Sequence, residues 1–117
     1  MKRLQLFREI TATYLRHGWQ LRRVLMSAET LVELREAGGA GEAGARFEGV
    51  AVQESAVDAL WFARASQGGR EAWELRLAAE TPYALFELFE ADEAEEERED
   101  VRREMEAQLR DYLAPQG

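Results

Sequence analysis

Side chains able to do chemistry are few and scattered along this chain. Its 117 residues include one histidine, His17, and no cysteine. That removes thiol catalysis and thiolate metal sites, and it leaves no zinc-type ligand set. His17 falls at the end of an expected helix, where an imidazolium meets the helix dipole favourably. Ser27, Ser55 and Ser66 have no activating base near them in sequence. Carboxylates number 23, densest from Glu93 to Asp100. That run lacks the alternating Asp/Asn and central Gly of a calcium loop, so it reads as a solvated helix face. The glycine-rich GGAGEAGAR at 38–46 lacks the Lys-Ser/Thr of a phosphate-cradling loop. No catalytic residue, metal site or cofactor is expected.

What remains are groups suited to binding, and they lie on one stretch, VDALWFARASQGGREAWELRLAA, from Val57 to Ala79. Gly68-Gly69 signals a two-residue hairpin turn, since glycine accepts the positive φ of primed turns. A turn centred there pairs Arg64 with Trp73, Phe62 with Leu75 and Leu60 with Leu77. Side chains alternate between faces along a strand. Leu60, Phe62, Trp73, Leu75 and Leu77 then form an apolar face, with the Arg64 guanidinium over the Trp73 indole. Ala59, Trp61, Ala63, Glu74, Arg76 and Ala78 form the opposite face. Trp61 beside Glu74 and Arg76 is expected either to be covered by the Gly/Ala-rich loop or the chain terminus, or to be a contact surface, since Trp and Arg are enriched at interfaces. The candidate binding residues are therefore Trp61, Arg76, Glu74 and Arg64.

The other elements must cover the apolar face of this hairpin. Leu4, Phe7, Ile10 and Tyr14 recur at helical spacing within a first helix, Lys2 to His17, which Gly18 ends. Trp19 to Met26 is expected as a strand with imperfect alternation. Ser27 is a good N-cap for a short helix from Ala28 to Ala37. Residues 37–45 are Gly/Ala-rich and read as a flexible connector. Arg46 to Gln53 is predicted as one strand with Gly49 at a bulge. Asp58 is expected to cap or turn the chain. Tyr83 to Glu90 is rich in aromatics and is assigned to a strand. Asp92 with Glu95 resembles a capping box for a last helix, Glu93 to Leu113. Its apolar stripe is Val101, Met105, Leu109 and Tyr112/Leu113.

Composition bounds the reading. The chain is 46% apolar with a formal net charge of −8, which suits one globular domain spanning 1–117. Residues 1–23 carry six basic side chains against Glu9, a balance of +5, leaving −13 for the remainder. So acidic a whole argues against nucleic-acid binding. Nothing resembles a signal peptide or the roughly 20 apolar residues of a membrane span, and a cytoplasmic protein is expected.

The sequence thus predicts an α+β domain: an antiparallel sheet of four to five strands with the N- and C-terminal helices packed on one face. Its expected function is a small acidic, non-enzymatic protein–protein interaction or adaptor module, self-associating as a homodimer. The alternative is a small anionic-ligand-binding protein or enzyme with a pocket between sheet and helices, where Arg64 or Arg76 fixes the anion.

Overall fold

The structure is a computed structural model and describes residues 2–41 and 44–114. The elements run α1 (Lys2–Arg16), β1 (Gln20–Met26), α2 (Ala28–Glu36), β2 (Ala40–Gly41), β3 (Gly44–Phe47), β4 (Val50–Glu54), β5 (Ala59–Ala65), β6 (Glu71–Leu77), β7 (Ala84–Phe89) and α3 (Glu95–Leu113). The strands form one mixed sheet in the order β2-β3-β4-β1-β5-β6-β7. The α+β class with terminal helices is as the sequence predicts. The sheet is larger than predicted, and it is mixed rather than antiparallel.

Both differences come from the segment after β1. Ser27 caps α2, its Oγ accepting from Thr30 N at 3.4 Å, while Asp58 Oδ1 accepts from Ser27 N at 2.8 Å. Asp58 thus holds the N-cap residue of α2 from across the sheet, rather than capping or turning the chain at the hairpin's entry as predicted. As a crossover helix, α2 returns the chain so that β4 pairs parallel to β1, Val24 opposite Val52. Glu48 and Gly49 both have positive φ, 50° and 80°. That makes a tight turn between β3 and β4 where one bulged strand was predicted. Within the Gly/Ala-rich 37–45, Ala40 and Gly41 pair with Ala45 and Gly44; residues 42–43 lie outside the described residues.

The central hairpin differs from expectation in register. Ser66 N donates to Arg70 O at 2.9 Å, so the loop is Gln67–Gly69, three residues rather than two. Gly68 and Gly69 do take positive φ, 69° and 78°. The extra residue moves every cross-strand pair by one. Ala63 now faces Trp73, Trp61 faces Leu75 and Phe62 faces Glu74. A one-residue shift exchanges the faces of one strand relative to the other. Trp61 therefore joins Trp73, Leu75 and Leu77 in the core, and it has no exposed surface.

The two sides of the sheet have separate cores. Trp61, Ala63, Trp73, Leu75, Leu77 and Phe89 pack with Met105 and Leu109 of α3. Leu60, Phe62, Val24, Met26 and Phe47 pack with Leu4, Phe7 and Ile10 of α1 and with Leu31 and Leu34 of α2. The first and last helices thus lie on opposite faces, not on one. The physical reason is parity: β5 is apolar at every position from Ala59 to Ala63, all buried. A strand buried on both sides needs a cover on both. A bulge at Arg22 completes the pattern. Leu21 pairs with Phe62 but Arg23 with Trp61. The α1-facing residues of β1 therefore change from odd to even numbers, which is the source of the imperfect alternation in its sequence.

Trp61 also donates from Nε1 to Glu106 Oε2 at 2.8 Å and meets Trp73 edge-on at 5.9 Å. Trp61→Ala is expected to lose about 3–5 kcal/mol of stability in urea denaturation, a large share of a typical total. A variant that unfolds at the wild-type midpoint would remove this side chain from the core.

Candidate functional site

The four sequence-predicted binding residues separate into three places. Trp61 is in the α3-side core. Arg64 pairs with Ala72 on the α1 side, so its guanidinium lies over Trp19 at 4.6 Å rather than over Trp73, and Nη1 donates to His17 O at 3.3 Å. Only Glu74 and Arg76 remain together, side by side on β6 facing the α1 side. Tyr14 of α1 stacks on Phe62 at 4.0 Å and donates its phenol to the Glu74 carboxylate. Burial first, and then the Glu74 carboxylate, push the Tyr14 phenol well above its ordinary pKa, so it stays a donor. Arg76 donates to Leu77 O and lies close enough to oppose that shift.

Along this flank of α1 run two open clefts. One, of about 310 Å³, is lined by Thr13, Tyr14, His17 and Trp19. The other, of about 200 Å³, is lined by Glu9, Ile10, Thr13, Tyr14 and Arg76. His17 is exposed, with Nδ1 on Thr13 O at 2.8 Å; among the described residues its cleft also holds Thr13 and Tyr14. Among those residues no three His, Asp or Glu side chains are placed to share a cation, and no helix is long and apolar enough to cross a membrane.

Beyond these clefts, on the α1 side, β7 is uncovered among the described residues. The α1-side core takes its strand residues from β1, β3, β4 and β5. On β6 and β7 that side carries Ala72, Glu74 and Arg76 beside Leu88, Phe86 and Ala84; α1 reaches Glu74 and Arg76 at its flank, and among the described residues no helix covers Ala84, Phe86 and Leu88. Phe86 is 58% exposed, the most exposed large apolar residue among those described. Among the described residues the last strand, β7, has β6 as its neighbour on one side and an open edge on the other. Leu77 N donates to Tyr83 O at 2.9 Å. Backbone direction alternates along an antiparallel pair, so residues 83, 85, 87 and 89 point their amides at β6, while Ala84, Phe86 and Leu88 point theirs outward. One outward donor is already occupied: Leu88 N donates to Glu87 Oε2 at 3.2 Å. Sequence reasoning assigned the strand but not this surface. Its signal was ALFELF, which is apolar at both parities with one charge, more than an edge strand covered on one side requires.

On the opposite face an arginine network locks α3 down. Arg102 is 1% exposed; its guanidinium stacks on Trp73 at 3.9 Å and reaches Glu95 at 2.7 Å and Glu99 at 2.9 Å. Arg23, turned to this face by the bulge, grips Glu99 through Nη1 and Nη2 at 3.0 and 2.7 Å. These bonds hold the Glu99 carboxyl below the ordinary range, Arg23 contributing most, and Arg102 does the same for Glu95. The capping box expected at Asp92 is absent: the N-cap is Ala94, without a side-chain bond.

Compared with known proteins, the chain matches no family model, no curated protein and no solved structure.

A carboxyl whose pKa is lower folded than unfolded contributes stability above its unfolded value of about 4.3 and loses it as pH falls through the folded value. The wild-type melting temperature is therefore expected to fall on acidification below about pH 4.3, and Glu99→Gln is expected to melt lower near neutrality with a shallower acid decline. Parallel melting curves for the two proteins across pH would contradict the assignment.

Proposed function

We propose that this chain is a non-enzymatic protein–protein interaction module acting in the cytoplasm, and that it binds through the open β6–β7 flank. The observation carrying this reading is the free edge of β7 with Phe86 exposed at its centre. An edge strand presents unpaired donors and acceptors that another strand satisfies. Exposed apolar area beside it adds the non-directional part of the attraction.

The second reading, an anion-binding pocket, has Arg76 at the rim of a cleft in its favour. Against it stands Glu74, whose carboxylate sits beside Arg76 and repels an incoming anion. Arg64 is spent on Trp19 and a backbone carbonyl.

The two readings diverge in two measurements. A thermal-shift screen with carboxylates and phosphates is expected to show no stabilisation, whereas a specific ligand at 100 times its dissociation constant adds about 2.7 kcal/mol. Phe86→Arg is expected to fold within about 0.5 kcal/mol of wild type, as exposed substitutions do, and to lose stoichiometric capture of protein partner, whether itself or another chain. A clear anion-dependent shift with capture unaffected by Phe86→Arg would replace the module by a ligand binder.

A further inference from the structure

We infer that the occupant of the β7 edge is a second copy of this chain, paired antiparallel about a two-fold axis through Phe86, so that the two sheets become one. This rests on the interaction-module reading above and names its partner.

The backbone argues for a strand. The outward-pointing amides and carbonyls of Ala84, Phe86 and Leu88 repeat at the spacing of a ladder, which neither a helix nor a small ligand matches. Pro82 has no amide hydrogen and closes the run at its start. The Glu87 side chain already supplies a makeshift acceptor to Leu88 N, and a carbonyl of a paired strand replaces it.

Symmetry argues for a second copy, and charge sets its register. Among two-fold registers, one centred on residue 87 sets Glu87 against itself at the closest cross-strand distance, which is repulsive. Centring on Phe86 avoids this: Phe86 meets Phe86 of the second copy, Ala84 meets its Leu88, and Glu87 meets its Leu85. The most exposed apolar side chain then lies on the symmetry axis, where an isologous contact is complementary to itself. Leu88, Phe86 and Ala84 of both copies form one apolar strip on the α1 side, and this strip is flanked by the two α1 helices.

Area sets the strength. Six residues of strand are about 20 Å long, and with the neighbouring side chains the contact covers about 300–400 Å² per copy, against about 800 Å² for a standard stable interface. The association is therefore weak and concentration-dependent, with a dissociation constant of about 1 μM or weaker. Each copy carries −8, so added salt strengthens this pairing by screening like charges. Pairing of the basic first 23 residues with the acidic end would instead weaken with salt.

The chain lacks cysteine, so Phe86→Cys places one thiol on the proposed axis. Directly opposed residues of a hydrogen-bonded antiparallel pair have Cα atoms about 5.5 Å apart, within disulfide range. In a glutathione redox buffer Phe86→Cys is expected to form covalent dimer about tenfold faster than Val32→Cys, a thiol of similar exposure on α2. Sedimentation equilibrium of the wild type from about 5 to about 500 μM is expected to show mass rising from 13.3 kDa toward twice that, more steeply at higher salt. Phe86→Arg is expected to stay monomeric. A wild type that stays monomeric throughout, or a Phe86→Cys rate equal to the Val32→Cys rate, overturns the second copy. Should the monomer still capture a foreign protein through Phe86, the module reading survives without self-pairing; should it capture none, both fail.

Discussion

The register of the β5–β6 hairpin is the constraint on which the rest depends. Three loop residues, rather than two, set Trp61 beside Trp73 and Leu75 instead of beside Glu74 and Arg76. With that parity both sides of β5 are apolar, and neither can face water. One side must be closed by α1 and α2, the other by α3. The bulge at Arg22 is the matching device in β1. It returns Val24 and Met26 to the α1 side and delivers Arg23 to the α3 side, where a carboxylate waits for it. A local count of residues in one turn thus decides the layering of the whole domain.

On the α3 side, apolar contact alone would let a 19-residue helix slide or rotate. The Arg102 guanidinium between Trp73, Phe89, Glu95 and Glu99 removes that freedom. Burying a charge costs free energy that its partners roughly offset, so such a cluster adds less to net stability than to orientation. Further along, Arg98 reaches Glu71 and the Glu90 carbonyl, and Tyr112 stacks on Tyr83 at 3.8 Å. These contacts tie the start of α3 to the end of β7 and the end of α3 to its start. The edge strand is therefore held firmly from one side although its own edge is open.

Elements with strong local signals were legible in the sequence. Ser27 at an N-cap, Gly18 after α1 and the aromatic run at 83–90 placed α2, α1 and β7 correctly, because capping, left-handed glycine and β-propensity act within a few residues. The role of Asp58 was not legible, because the group it holds, Ser27 N, lies 31 residues away. Register and layering were not legible. Two adjacent glycines serve a two- or a three-residue loop equally well, and the choice is made by burial of Trp61 across the sheet. The predicted grouping depended on that choice: Trp61 and Arg64 leave it, while Glu74 and Arg76 remain neighbours on one face. Phe86 was missed because exposure of one face of a strand is set by where helices from elsewhere come to rest.

Where the helices rest leaves two quarters of the sheet bare, and their chemistry differs. As the crossover between β1 and the β3–β4 pair, α2 must sit over that end of the sheet. It draws α1 toward it, so on that side α1 meets β6 at its flank, through Tyr14 and the cleft beside Arg76, and β7 is left open among the described residues. The single helix α3 serves β5, β6 and β7 on the other face, so the α3 side of β3 and β4 is open too. There the sequence places Arg46, Ala51 and Gln53, exposed but small or polar. On the open quarter of β6 and β7 it places Ala84, Phe86 and Leu88 around a polar pair, Glu74 and Arg76. Both quarters arise from the same shortage of helices, and each could have been made polar at no cost to the core. Of the two, only the β6–β7 quarter keeps a large exposed apolar side chain among the described residues, Phe86.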